Sequence, residues 1–311
     1  MRAITVRSFG GPEVLENLEV PVPAAGAGQV RIRVTAAAVN PVDLATRSGA
    51  LAEAGLMPVR EVTGIGWDVA GTIDEVGPGV THFAPGDPVI GLRDRLDVPL
   101  GTYAEYIILD VTAVALAPSG VSAVEAATIP LNGLTALQAL DALDLKPGAT
   151  LLVTGAAGAV GGFAVELAAR RGIRVVASAG AADEPFVRAV GAQWFIPRGD
   201  DLADRVRELV PGGVDAVLDA AVLGVAVLGA LRNRGAFASV VAGGAPLPLR
   251  GTTVTEVWVA ADPAGLAYLS SLAAQGQLAL RVAGTLPLDR AAEAHTRLAT
   301  GGIRGRLVLT P

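Results

Sequence analysis

Residues 151–162, LLVTGAAGAVGG, place the tightest constraint on the fold. Leu151, Leu152 and Val153 run into a turn of small residues, and an apolar, Ala-rich segment follows at 163–170. A strand, a tight turn and a helix in that order can cradle a dinucleotide pyrophosphate. Gly158 lets the backbone approach the phosphates, and Gly161 lets the helix pack against the strand. The helix N-terminus then turns its N–H groups and partial positive charge toward the anion, and Ala159 and Val160, in the turn, are further candidate contacts. The first glycine of G-x-G-x-x-G is here Ala156. A small-residue turn also serves plain strand–helix packing, so the flanking sequence has to decide.

Gly172 ends the helical segment, and residues 173–177 (IRVVA) form a second β-branched run of strand length. Ser178 follows, where an NAD-binding chain usually carries Asp or Glu for the ribose 2′-hydroxyl. A carboxylate there repels a 2′-phosphate, whereas a hydroxyl can donate to it. The pattern therefore points to NADP(H), with NADPH as the expected cofactor. Many such sites add a Lys a few residues later, but here Asp183 stands nearby. Arg198, after the third strand-like run, is the alternative cation. It is otherwise a solvated loop arginine.

From residue 150 onward, strand-like runs (151–154, 174–177, 194–196, 215–219, 236–241, 253–259) alternate with helix-like segments (163–171, 183–190, 202–210, 222–232). Such alternation predicts an α/β fold with a doubly wound parallel sheet. Residues 1–115 read differently, as short strands (3–7, 30–39, 69–76, 88–91, 103–109) cut by Gly/Pro turns, the punctuation of a distorted β-barrel. Residues 122–144 are helical with a break at Pro130. The tail adds helix, strand, helix and strand (263–275, 281–286, 289–299, 306–310) and is expected to return to the first domain. This divides the chain into 1–124 with 262–311, and 125–261. The cleft between two such domains is the default ligand site.

Composition narrows the function. The 311 residues are 51% hydrophobic and 17% charged, with a net charge of −6. No Lys/Arg-rich block is present, which disfavours nucleic acid as partner. No apolar stretch reaches membrane-spanning length, and the first residues lack the apolar core of a signal peptide. The absence of cysteine excludes disulfides, a catalytic thiol and any cysteine-ligated metal, and is compatible with a cytoplasmic protein.

Several motifs in order carry a resemblance. They are Gly11-Pro12-Glu13-Val14-Leu15, Asn40-Pro41-Val42-Asp43 with Arg47-Ser48-Gly49, Gly86-Asp87-Pro88-Val89, Gly101-Thr102-Tyr103-Ala104-Glu105-Tyr106, the turn at 155–161, and the ending at 292–295 and 304–309. Together they resemble the medium-chain dehydrogenase/reductase superfamily, and within it the zinc-free quinone oxidoreductase, or zeta-crystallin-like, branch. The resemblance implies a Rossmann sheet for the nucleotide and a β-rich GroES-like catalytic domain. It implies hydride transfer from NADPH to a small-molecule quinone or α,β-unsaturated carbonyl, in a homodimer. Two further readings share the pattern: a tailoring enoyl reductase of a biosynthetic pathway, and a non-catalytic NADP-binding interaction protein.

By motif alignment, the zinc ligands of related alcohol dehydrogenases fall on Asn40, Trp67 with Asp68, and Asn132. Amide and indole groups are not useful zinc ligands, so no metal is expected. The catalytic candidates are Asn40, Asp43 and Tyr103. Asn40 either donates its amide to the acceptor carbonyl or cofactor, or fixes the turn before Pro41. Asp43 either orients that site or caps the next helix. Tyr103 either lines the pocket or donates a proton, or is a half-buried strand aromatic. Related reductases often carry a tyrosine where Ala45 or Leu51 stands here. Thr135 is a candidate contact to the nicotinamide-side phosphate or ribose, or a helix-interior residue. Val241 and Ala242, after a sheet strand, are candidate cofactor contacts or a simple turn. Val259, with Val257 and Trp258, is a candidate wall under the nicotinamide or a buried strand. His82 and His295 are weak acid–base candidates despite the suitable pKa of histidine.

Overall fold

The computed structural model describes residues 1–199 and 201–311. One compact unit contains Met1–Leu131 and Ala260–Pro311, and a second contains Asn132–Val259. In chain order the first stretch carries β1 (Arg2–Val6), β2 (Glu16–Glu19), β3 (Gln29–Ala38), α1 (Pro41–Ser48), α2 (Ala50–Glu53), β4 (Thr63–Gly64), β5 (Asp68–Val76), β6 (Pro88–Leu92), β7 (Tyr106–Asp110), β8 (Val114–Leu116) and α3 (Ala123–Ala126). Then come α4 (Pro130–Leu143), β9 (Thr150–Thr154), α5 (Ala159–Arg170), β10 (Arg174–Ala179), α6 (Glu184–Ala189), β11 (Trp194–Pro197), α7 (Leu202–Leu209), β12 (Val214–Asp219), β13 (Leu231–Ser239) and β14 (Thr253–Glu256). The tail supplies α8 (Pro263–Ala274), β15 (Val282–Pro287), α9 (Ala291–Thr300) and β16 (Arg306–Thr310).

The first unit is built around β3. Val30, Ile32 and Val34 alternate inward with Arg31, Arg33 and Thr35 turned out, the period-two pattern of a strand with one solvated face. β5 and β7 pair antiparallel with β3, while β16 takes its last residues at Ala37 and Ala38. The full order is β15-β16-β3-β5-β6-β8, with β7 on β3, beside a smaller sheet β2-β1-β4. The tail thus joins the N-terminal sheet by strand pairing. Ala36, Ala37, Ala38 and Val39 are all buried, so β3 delivers Asn40 into the interior. There the chain turns, because Pro41 at the first helical position suits α1 and Gly49, at φ +90°, ends it.

In the second unit all six strands are parallel, in the order β11-β10-β9-β12-β13-β14. Numbered within the unit this is 3-2-1-4-5-6, the dinucleotide-binding order, with the direction of winding reversing beside β9. Every residue of β9 is buried, as a central strand covered on both faces requires.

Four local expectations need correction. Residues 222–232 do not form one helix: a short 3-10 segment spans Gly224–Ala230 and Leu231 already belongs to β13. Positive φ at Val222 (58°) and Gly224 (53°) is incompatible with an α-helical start. β14 stops at Glu256 and Trp258 is 56% exposed, so residues 257–259 are not a buried strand. β7 begins at Tyr106, three residues later than expected. Tyr103 lies in an irregular stretch whose backbone bonds Ile65 and Ile4. β10 runs on to Ala179, so Ser178 sits inside the strand rather than beyond its end.

Candidate active site

A buried polar cluster surrounds the start of α1. Asn40 is the N-cap, and Asp43, three residues on, reaches back so that Oδ2 accepts the Asn40 backbone N–H at 2.7 Å. The same oxygen accepts the Tyr103 hydroxyl at 3.0 Å. Asp43 therefore caps the helix and holds Tyr103 at once, while its Oδ1 is buried with no hydrogen-bond partner. Tyr103 is fully buried, not half-buried, with its hydroxyl turned to Asp43.

The Asn40 side chain is held from the other side. Its Nδ2 donates to Asp68 Oδ2 at 2.7 Å and, at the long distance of 3.5 Å, to the Ala38 carbonyl. Asp68 Oδ1 accepts the Leu131 backbone N–H at 2.6 Å. Sequence reasoning noted Asp68 only as a neighbour of Trp67. The available signal was a carboxylate opening an otherwise apolar strand, which a buried position tolerates only with strong partners. Trp67 is also buried, its Nε1 directed at Thr46 Oγ1 at 3.5 Å.

Burial dominates the electrostatics. It pushes Asp43 up to about 8, with the nearby Asp68 charge adding to the rise and the bonds from Asn40 and Tyr103 opposing it. Asp68 rises to about 7, again by burial, held back by Leu131 and Asn40. Burial also lowers Arg93 and Arg306 to about 10, while Asp43 favours the charged form of both and Asp68 that of Arg306. His295, packed edge-on to Tyr103 at 5.8 Å, falls to about 3 through burial and the Arg47 charge. Arg47 Nη1 lies 3.3 Å from His295 Nδ1, and a guanidinium only donates, so the ring proton is on Nε2. His295 is thus a neutral packing residue, and His82 lies in an exposed loop.

The nucleotide turn lies wholly in the second unit. Gly155, at φ +58°, supplies the left-handed residue that ends β9. This explains Ala156: the glycine is needed one position earlier, and the buried Ala156 donates its N–H to the Ser178 carbonyl at 3.0 Å. Gly158 is the N-cap of α5 with no side-chain cap, and Ala159 and Val160 open the helix, partly exposed. A Cβ on Gly161 would stand 2.2 Å from the Gly155 carbonyl oxygen, so only glycine lets α5 approach the turn. Thr154 Oγ1 donates to Asp219 Oδ1 at 2.5 Å, and Asp219 Oδ2 accepts the Gly224 N–H at 2.8 Å. Asp219, which sequence reading passed over as a strand residue, thereby ties the ends of β9 and β12 together at the switch point. The turn's geometry fits a dinucleotide pyrophosphate.

The remaining candidates fall around this sheet. Ser178 is 3% exposed, its carbonyl engaged by Ala156. Arg198 is exposed and donates its backbone N–H to the Ala179 carbonyl at 2.8 Å. Its Nη2 and Asp183 Oδ2 lie 2.9 and 3.0 Å from where a Cβ on Gly180 would stand, so a glycine there leaves room for both. Val241 and Ala242 follow the carboxyl end of β13 and are exposed, and Val259 lies beyond β14. Thr135 and Asn132 are buried in α4.

Comparison with known proteins agrees with this architecture. The alcohol dehydrogenase GroES-like domain family matches residues 26–119, and the zinc-binding dehydrogenase family matches 190–309. A 2-methylene-furan-3-one reductase from Solanum lycopersicum is 30% identical over the whole chain and 79% of its own length. The chain belongs to the medium-chain dehydrogenase/reductase superfamily. This medium-chain dehydrogenase/reductase has quinone oxidoreductase relatives. A chloroplast envelope quinone oxidoreductase homolog from Arabidopsis thaliana is 37% identical over 62% of this chain, a match spanning 59% of that relative. Among solved structures, an NAD-dependent alcohol dehydrogenase superposes with a TM-score of 0.89 at 33% identity, covering 100% of both chains. A mycobacterial protein complexed with NADPH gives 0.84 at 30% identity, again over 100% of both.

The residues of this medium-chain dehydrogenase/reductase do not fit a catalytic zinc. Asn40 offers an amide already given to Asp68, Trp67 offers an indole, and both oxygens of Asp68 accept hydrogen bonds. Asn132 adds only a second amide. Among the described residues, no three His, Asp or Glu side chains come together as a metal site, and no helix is long and apolar enough to cross a membrane.

Proposed function

We propose that this oxidoreductase transfers hydride from NADPH to a quinone or an α,β-unsaturated carbonyl without a metal. The observation that carries the reading is the Asn40–Asp68 hydrogen bond, an amide and a carboxylate bound to each other where a metal would need free donors. The reduced nicotinamide supplies the hydride. Quinones and enones accept it unaided because the incoming charge spreads into a hydroquinone or an enolate.

The chain's own residues then have defined tasks. The turn at Gly155–Gly161 and the first N–H groups of α5 hold the pyrophosphate, and Thr135, Val241, Ala242 and Val259 flank the rest of the dinucleotide. Arg198 supplies charge for the 2′-phosphate at the end of β10, with Asp183 opposing it. The NADPH complex of the mycobacterial relative supports that cofactor. Asn40 Nδ2 gives one N–H to Asp68, which fixes the amide, and its second N–H, now toward the Ala38 carbonyl at 3.5 Å, is the one to donate to an acceptor carbonyl. The exchangeable protons of the cluster sit on Tyr103 and, below pH about 8, on Asp43. The reading takes the protein as a cytoplasmic homodimer.

The test is NADPH and NADH oxidation by the purified protein against small quinones and alkyl enones, with and without a chelator. Turnover that prefers NADPH and ignores the chelator supports the reading. Chelator-sensitive alcohol oxidation overturns it. Tight NADPH binding with no turnover on any acceptor assigns the protein to the non-catalytic class. An enone relative, the Solanum reductase, favours enones as the second acceptor class, and turnover confined to them favours the enoyl reductase reading.

A further inference from the structure

The first unit holds a cleft of about 360 Å³ between the β6 end and β7, a size typical of small-molecule sites, roughly 300–1,000 Å³. Leu92, Val98, Leu100, Ile107 and Leu109 give it apolar walls, and Arg93 lines it as well. Arg93 is only 2% exposed. Its Nη2 donates to the Val98 carbonyl at 2.9 Å, but Nε and Nη1 are buried without a hydrogen-bond partner. The other charges of the cleft are matched. Arg95 pairs with Asp97 at 2.6 Å and Asp110 at 3.3 Å, and Asp94 accepts the Ala261 N–H at 2.7 Å. Asp43, Asp97 and Asp94 act on Arg93 at a distance, and none accepts a hydrogen bond from it. A buried guanidinium with unsatisfied N–H groups is costly, and an oxyanion is the partner that removes the cost most completely.

We propose that this cleft binds a small carboxylate with a short apolar tail, the carboxylate on Arg93 and the tail against Leu92, Leu100 and Ile107. An alcohol of equal length would bury the same tail and leave the cation without a counter-charge. An amine would place like charges together. The site is independent of the reductase reading, since binding needs neither cofactor nor turnover.

The experiment is calorimetric titration of the full chain with hexanoate, hexan-1-ol and hexylamine, with hydrogen exchange locating the contact. Hexanoate is expected to bind roughly tenfold to a hundredfold tighter than hexan-1-ol, the range of one hydrogen bond to a charged group. Hexylamine is expected not to bind. Protection is expected at residues 92–100 and 107–113. Arg93→Met should erase the preference and Arg93→Lys should keep part of it. Equal affinity for hexanoate and hexan-1-ol, no hexanoate binding, protection elsewhere, or a preference that survives Arg93→Met would each overturn the proposal. The wild-type comparison and the exchange pattern decide it even where a variant does not fold.

Discussion

Tyr103 shows how the type of a side chain leaves its role open until its partner is known. A tyrosine beside a candidate hydride site suggests a proton donor, yet this hydroxyl is buried and donates to Asp43. Tyr103→Phe leaves the Asp43 Oδ2 with one donor instead of two, and the loss of a buried hydrogen bond costs about 1–3 kcal/mol. The expected result is a lower unfolding free energy by that amount in urea, with kcat changed by less than about threefold. A fall of a hundredfold or more, the scale of a lost general acid, would instead place Tyr103 in the proton transfer. Asp43 illustrates the same point from the opposite side. One oxygen both caps the helix and holds the Tyr103 hydroxyl, so the cap does not prevent a second task.

At the scale of elements, the β9–α5 turn depends on two glycines with different jobs. Gly155 supplies a left-handed conformation, and Gly161 supplies space. Gly161→Ala puts a methyl group 2.2 Å from the Gly155 carbonyl. Backbone must move, so the variant should lose about 1–3 kcal/mol of stability, as overpacked sites do. It should also bind NADPH more weakly in a fluorescence titration. Unchanged NADPH affinity would remove this turn from cofactor binding. At the neighbouring strand end, Arg198→Ala should reduce the NADPH-over-NADH preference in kcat/KM, roughly tenfold for one charged hydrogen bond. An unaltered preference would return Arg198 to the solvated loop and leave the 2′-phosphate to other groups.

For the whole molecule, buried titrating groups set the dependence of stability on pH. Asp43 and Asp68, raised to about 8 and 7, are protonated in the folded state over a range where they ionise in the unfolded chain. The folded state then binds more protons, so their contribution is present at low pH and declines as pH rises from about 4 to about 8. His295, lowered to about 3, acts oppositely: below pH about 6.5 the unfolded chain takes up a proton that the folded state refuses, and stability falls with falling pH. Above pH 6.5 only the carboxylates remain. Thermal unfolding should therefore show a decreasing Tm from pH 6.5 to 8, and Asp43→Asn should flatten that slope. A Tm that stays flat over this interval would show that the carboxylates are ionised in the folded protein.

Local sequence was enough for most of the alternation from residue 150 onward and for the turn at 155–161. In both, the deciding interactions lie within a few residues: strand and helix periods, and small residues at a tight turn. The failures at 222–232 and 257–259 have one cause. Apolar residues there are compatible with several structures, and the backbone at Val222 and the end of β14 decided between them. Asp68 and Asp219 were invisible as site residues because each acquires its role from a partner far along the chain, Leu131 and Thr154, and Arg93 because only folding buries its guanidinium with N–H groups unmet. The sequence alone determined which chemistry this protein lacks, since no cysteine can be added by folding. Only the tertiary structure decided which charges are buried and which of their hydrogen bonds are met, because desolvation is a property of the surroundings and not of the residue.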